Sequence, residues 1–231
     1  MQKLSVVVVH GSYSEAYRRE FTALMAQVQA QVDHPILGAY LECTELTLTA
    51  AIARFLQQQA STAERQLHIL PLFLSPGVHV REDIPAAIAP LMSKFPAVKI
   101  KVLDYLGAEG RLAPFLEPQF AKYPAAKRVL LAHGSRRTGA NPKIETFARS
   151  LQAITAYWAT APNLTEAIAT MTDHRAICVI PYFLFSGKIP AAIAEQVQQL
   201  QQDYPQTEFH LGQPFGTQPD CAAAISQILQ Q

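Results

Sequence analysis

Polar and apolar positions alternate along this chain in two rhythms, short apolar runs and longer stretches of helical spacing. Residues 3–10, Lys-Leu-Ser-Val-Val-Val-Val-His, are a β-branched run closed by Gly11-Ser12, and apolar residues at helical spacing follow over 17–32. Pro35 opens a second strand over 36–41 that ends at Glu42, and a helix is expected over 48–58. Residues 67–74 are apolar except for His68, as a parallel strand covered on both faces requires, and Pro76-Gly77 break the run. Asp83 is placed to cap a helix over 83–95 whose first turn holds Pro85. A fourth strand over 98–106 leads to a helix carrying Leu112, Phe115, Leu116 and Phe120, and residues 123–127 read as a linker. Strands alternating with helices predict an α/β fold with a parallel sheet.

Beyond the linker the pattern starts again. Residues 128–135 repeat the first strand with its His-Gly-Ser, and His133 falls 123 positions after His10. Ala156-Tyr157-Trp158-Ala159 matches Ala39-Tyr40-Leu41-Glu42, Pro181-Tyr182-Phe183-Leu184 matches Pro71-Leu72-Phe73-Leu74, and Ile189-Pro190-Ala191-Ala192-Ile193 matches Ile84-Pro85-Ala86-Ala87-Ile88. Matches in the same order define an internal duplication, with domains expected at 1–124 and 125–231, each a mostly parallel four-stranded sheet flanked by helices. The halves differ where chemistry is concentrated. Gly77 and Ile84 stand 7 positions apart but Gly187 and Ile189 only 2, so the second half lacks five residues, the loop histidine among them. Ala159 stands where the first half has Glu42.

Composition narrows the setting. A 231-residue chain, 49% hydrophobic and 16% charged, carries enough apolar side chains for a well-filled core. A net charge of +1 gives no field that would select nucleic acid. No secretory leader or membrane span is read at the amino terminus, so a cytoplasmic protein with no membrane partner is expected. Cys43, Cys178 and Cys221 are scattered, which fits reduced structural thiols rather than a disulfide framework or a zinc cluster.

The candidate chemistry lies at strand ends. His10, Glu42 and His79 each follow a different strand of the first half, and open α/β sheets bind ligands at the carboxyl ends of their strands. Two imidazoles and a carboxylate are donors for iron, cobalt, nickel or zinc, and so few protein ligands leave coordination positions open. Glu42 is read as proton acceptor or extra ligand, but also as a cap of the next helix, a duty Thr44 or Thr47 can equally perform. His133 lacks both partners and reads as a retained turn more than as a second metal site, and His68 as a satisfied core residue.

His10-Gly11-Ser12, Ala39-Tyr40-Leu41-Glu42 and Pro71-Leu72-Phe73-Leu74 with Gly77, His79 and Asp83-Ile84-Pro85 resemble the class II tetrapyrrole chelatases of the CbiX and SirB type. The resemblance covers both halves and implies two tandem chelatase-like domains with an inter-domain cleft, in a monomer that is its own pseudo-dimer. It implies ATP-independent insertion of Fe²⁺ or Co²⁺, with Ni²⁺ also compatible, into sirohydrochlorin on the way to sirohaem or cobalamin. His10 and His79 then handle the metal with Glu42 assisting, and no cofactor beyond the metal substrate is expected. Ser12, Arg81, Arg136, Arg137 and Lys188 are the candidates for the substrate and its carboxylates. The first motif departs from the family by continuing Tyr13-Ser14 where many members have a basic residue, a feature that appears instead as Arg136-Arg137. The rival reading is a carrier that binds metal or tetrapyrrole without turnover. A phosphate-ester enzyme using His10 and Ser12 is a third, and it leaves the pairing of His79 with Glu42 unexplained.

Overall fold

The structure, a computed structural model, describes residues 1–59, 63–136, 139, 141–171 and 173–231. Its first sheet contains β1 (Gln2–Val9), β2 (Ile36–Tyr40), β3 (Arg65–Pro71) and β4 (Val98–Val102), all parallel, in the order β2-β1-β3-β4. Helices α1 (Glu15–Gln29), α2 (Leu48–Gln58), α3 (Ile84–Lys94) and α4 (Ala113–Ala121) intervene. The second repeat follows with β5 (Lys127–Ala132), β6 (Ile154–Tyr157), β7 (Ala176–Pro181) and β8 (Glu208–Leu211) in the order β6-β5-β7-β8, and with α5 (Asn141–Ser150), α6 (Leu164–Ala169), α7 (Lys188–Asp203) and α8 (Pro219–Gln230). Two four-stranded parallel α/β sheets are thus the architecture the sequence pattern predicts.

Side-chain alternation along β1 explains why it lies inside its sheet. Leu4, Val6 and Val8 join a core with Leu48, Ile52 and Leu56 of α2 and Ile84, Ile88 and Leu91 of α3. Val7 points to the opposite face, where its register partner Gly38 lies against Phe21 and Met25 of α1. A strand apolar on both faces needs helices on both sides, which crossover connections supply. The second sheet repeats this, with Val129 and Leu131 of β5 packed among Leu164, Ile168, Ile193 and Val197.

The compact units do not coincide with the repeats at the 124/125 linker. One unit comprises 1–108 with 222–231, and the other 109–221. α4 therefore belongs to the second unit, where Arg128 clamps Glu117 through two bonds at 2.8 and 2.9 Å and Gln119 accepts from the Gln213 amide at 3.2 Å. Most of α8 returns to the first unit, and Gln230 donates to the Gln31 carbonyl at 3.0 Å. Each repeat thus sends its last helix to the other unit.

His68 overturns its expected role as a satisfied core residue. It is 4% exposed and both ring nitrogens lack a hydrogen-bond partner among the described residues, whereas nearby in the sheet Ser5 is bonded to His34 at 2.8 Å. Burial pushes its pKa down, with Lys3, Lys101 and His34 adding in the same direction. Below about pH 6.5 the unfolded chain binds a proton that folded His68 refuses, so stability is full above that pH and falls as pH drops from there toward the lowered folded value. His68→Leu is expected to flatten this acid slope in thermal melts and to raise stability at pH 7 by about 1 kcal/mol, because an unsatisfied buried polar group is removed.

Candidate metal centre

The order β2-β1-β3 makes the first sheet grow to one side of β1 and then to the other, and the crevice at such a reversal is where open sheets present ligands. His10 leaves β1 at this edge, Glu42 follows β2, and His79 opens the segment after β3. Their ligand atoms all lie within 4.8 Å of one another, and no other group of three or more histidine, cysteine or acidic side chains with such spacing occurs among the described residues.

Both histidines are oriented through Nδ1. In His10 this atom is 3.1 Å from the Gly11 carbonyl oxygen. In His79 it is 2.7 Å from Oδ2 of Asp83. Carbonyl and carboxylate oxygens only accept, so each Nδ1 carries the hydrogen and each Nε2 keeps its lone pair for a metal. His10 Nε2 stands 3.6 Å from Oε2 of Glu42, and the two imidazole rings meet edge to face at 4.6 Å between centroids. Bonds of about 2.1 Å to one ion separate neighbouring donors by roughly 3.0–3.4 Å. The His10–Glu42 edge, at 3.6 Å, nearly meets that requirement, and all the ligand atoms lie within 4.8 Å of one another. With side chains 46%, 52% and 31% exposed for His10, Glu42 and His79, the centre is open to ion exchange.

Backbone contacts bring the loops together. The Glu42 amide donates to the His10 carbonyl at 2.8 Å, continuing the ladder past β2. Gly11 has φ +105°, and a Cβ there would run into the Glu42 carbonyl oxygen. Thr47, with its side chain accepting from the Ala50 amide at 3.3 Å, caps α2, so Glu42 does not perform that duty.

Asp83 corrects the expected start of α3. Its backbone is already helical (φ −68°, ψ −45°) and its side chain caps nothing, because His79–Asp83 form a π-helical turn that runs directly into α3. That turn aims the carboxylate at His79 instead. The signal in the sequence is the i,i+4 spacing of His79 and Asp83, which Asp83-Ile84-Pro85 conceals by also resembling a helix cap. Asp83→Ala is expected to weaken Co²⁺ binding about 10- to 100-fold, read from the visible absorption of the Co²⁺ complex, with little change in melting temperature.

The candidates for substrate contact fall in both units, Ser12 and Arg81 in the first and Arg136 and Lys188 in the second. Ser12 Oγ accepts from the Ser14 amide at 3.1 Å in the loop after His10, and Arg81 is exposed within the π-turn. Arg136 is exposed after β5 and Lys188 is exposed at the start of α7, while Arg137 lies outside the described residues. His133 reproduces the His10 posture, with Nδ1 2.9 Å from the Gly134 carbonyl and its own carbonyl accepting from Ala159 at 2.9 Å. Ala159 supplies no carboxylate there.

The family model described as CbiX matches residues 4–123 and again 127–231. The chain is 26% identical over 212 residues to the sirohydrochlorin ferrochelatase of Priestia megaterium, covering 85% of this chain and 78% of that one. With the sirohydrochlorin cobaltochelatase of the same organism it shares 25% over 181 residues, 71% of this chain and 59% of the relative. Among solved structures, SirB from Bacillus subtilis with Fe³⁺ superposes with a TM-score of 0.85 at 23% identity, covering 100% of this chain and 95% of that one, which shows a shared fold. No helix among the described residues is long and apolar enough to cross a membrane.

Proposed function

We propose, from the premise that this chain belongs to the CbiX family, that it inserts a divalent metal, Fe²⁺ or Co²⁺, into sirohydrochlorin. The observation that carries this reading is the convergence of His10, Glu42 and His79 at one sheet edge, with both imidazoles bonded through Nδ1 so that Nε2 faces the site. The curated relatives are named for iron and for cobalt insertion, and two imidazoles with one carboxylate suit either ion.

The chemistry balances on these side chains. The ion arrives hydrated, exchanges water for His10 Nε2, His79 Nε2 and Glu42, and keeps open positions toward the ring. Insertion makes metal–nitrogen bonds to the macrocycle and releases two pyrrole protons. Departure of the ion frees the two Nε2 lone pairs, so the protein has two bases where two protons appear. Asp83, 2.7 Å from His79, stabilises the imidazolium formed there, and Glu42, 3.6 Å from His10, does the same for its neighbour. Arg81, two residues beyond His79, is the basic side chain of this segment suited to a substrate carboxylate.

The test is anaerobic visible spectroscopy of sirohydrochlorin with Fe²⁺ or Co²⁺ and substoichiometric protein. Multiple turnovers above the uncatalysed rate support the reading. A stoichiometric spectral shift without turnover would identify a carrier instead.

A further inference from the structure

Arg18 is a surface arginine of α1 with an unusual set of partners. Its Nε donates to the Ser12 carbonyl at 2.9 Å and its Nη2 to the Cys43 carbonyl at 2.8 Å. Its guanidinium carbon lies 6.0 Å from the centroid of the Tyr40 ring, which itself packs edge to face on Phe21 of the same helix. One planar fork therefore spans the loop that follows His10 and the loop that carries Glu42. Cys43, directly after Glu42, holds φ +56°, a left-handed conformation that a residue with a side chain adopts only under tertiary constraint. The bond from Arg18 falls on the carbonyl of that residue.

The second repeat contains an independent version of this tie. Asn141 stands eight residues after His133, as Arg18 stands eight after His10. Its Oδ1 accepts from the Ser135 amide at 2.8 Å and its Nδ2 donates to Thr160 Oγ1 at 3.4 Å. Ser135 and Thr160 are the counterparts of Ser12 and Cys43, so the same two loops are joined by different chemistry, from the first residue of α5 where the first repeat uses the fourth of α1. Asparagine couples an amide to a hydroxyl, whereas the first repeat offers two carbonyl oxygens, which call for a side chain with two donors and no acceptor. Arginine supplies these in one rigid plane.

We infer that Arg18 is a positioning residue that sets the separation of Glu42 from His10, and through it the fit of the metal. The inference rests on the proposed role of these two side chains. Without the fork the Glu42 loop loses this tie to the His10 loop on the α1 side and keeps the backbone bonds from the Leu41 and Glu42 amides to the Val9 and His10 carbonyls.

The experiment is a Co²⁺ titration followed by visible absorption, in the full chain without tetrapyrrole, on a double-mutant cycle of Arg18→Ala and Glu42→Gln. Arg18→Ala is expected to weaken Co²⁺ binding about tenfold, as loss of an orienting partner of a ligand does. In the Glu42→Gln background the same change is expected to cost less than about twofold, because the two act as one unit. Arg18→Lys, which restores at most one of the two bonds, is expected to fall between, and it carries the cycle if Arg18→Ala does not fold. Losses that multiply independently, or none at Arg18, overturn the inference. His10→Ala is the control on the site itself: unchanged Co²⁺ binding there refutes the metal centre, whereas loss there with none at Arg18 refutes only the positioning role.

Discussion

His10→Ala and His79→Ala are each expected to lower metal insertion at least about a hundredfold, beyond the range associated with residues that only orient a ligand. Each removes one of the two Nε2 atoms that the proposed reading uses both to bind the metal and to accept a proton. His133→Ala is expected to leave the rate within about twofold. That histidine has the same Nδ1 contact to the following carbonyl, 2.9 Å against 3.1 Å for His10, yet has Ala159 in place of a carboxylate. The contrast separates the backbone posture, which both repeats share, from the donor set, which only one retains. Initial rates of sirohydrochlorin metallation with the four proteins side by side provide the measurement.

Gly11→Ala carries the second large effect. A methyl group at φ +105° is strained whatever surrounds it, and here it also meets the Glu42 carbonyl oxygen, a backbone atom that cannot swing away. Relief requires the His10 and Glu42 loops to part, which breaks the 2.8 Å bond between the Glu42 amide and the His10 carbonyl. A stability loss on the order of 2–4 kcal/mol is expected from strain and overpacking together, accompanied by loss of most Co²⁺ binding. Gly134→Ala is the matched comparison, because φ there is +77° and the added Cβ would crowd Thr160 and Tyr157. It is expected to destabilise to a similar degree, seen in thermal melts, while Co²⁺ affinity stays within about twofold in protein that remains folded. If both glycine variants lost metal equally, the effect would be one of global stability and not of the His10–Glu42 junction.

Much of this was readable from the chain because strands buried on both faces leave near-continuous apolar runs. Residues 3–9 and 67–71 identify two neighbouring strands of one sheet in that way, and the residues just past them are then candidates by position alone. The duplication added a comparison within one sequence, since the second repeat kept the frame and lost Glu42 and His79. What stayed hidden depended on directions that a one-dimensional pattern does not carry. Asp83 before Ile84-Pro85 has the composition of a helix cap, and only the π-helical turn reveals that its carboxylate meets His79. Arg18 is a charged position on an amphipathic helix, and its reach to two carbonyls depends on how two loops fold back. The strand expected over 98–106 ends at Val102, because apolar character persists beyond the last strand pairing. His68 departs from its expected role for a related reason: an apolar run shows that a histidine is buried but not whether anything bonds to it. The exchange of α4 and α8 between units was equally invisible, because a repeat boundary marks sequence ancestry and not where a helix packs.

The most direct test of the account is a single-turnover transfer. Protein loaded with one equivalent of Co²⁺ and freed of excess metal is mixed anaerobically with metal-free sirohydrochlorin, with the ring spectrum followed in time. Transfer of the bound ion to the ring, fast in the unaltered protein and absent in His10→Ala and His79→Ala at the same total cobalt, is the predicted result. Metallation that proceeds at the same rate in all three proteins, or only once free Co²⁺ is supplied in excess, would contradict the assignment of the His10–Glu42–His79 centre as the donor of the metal.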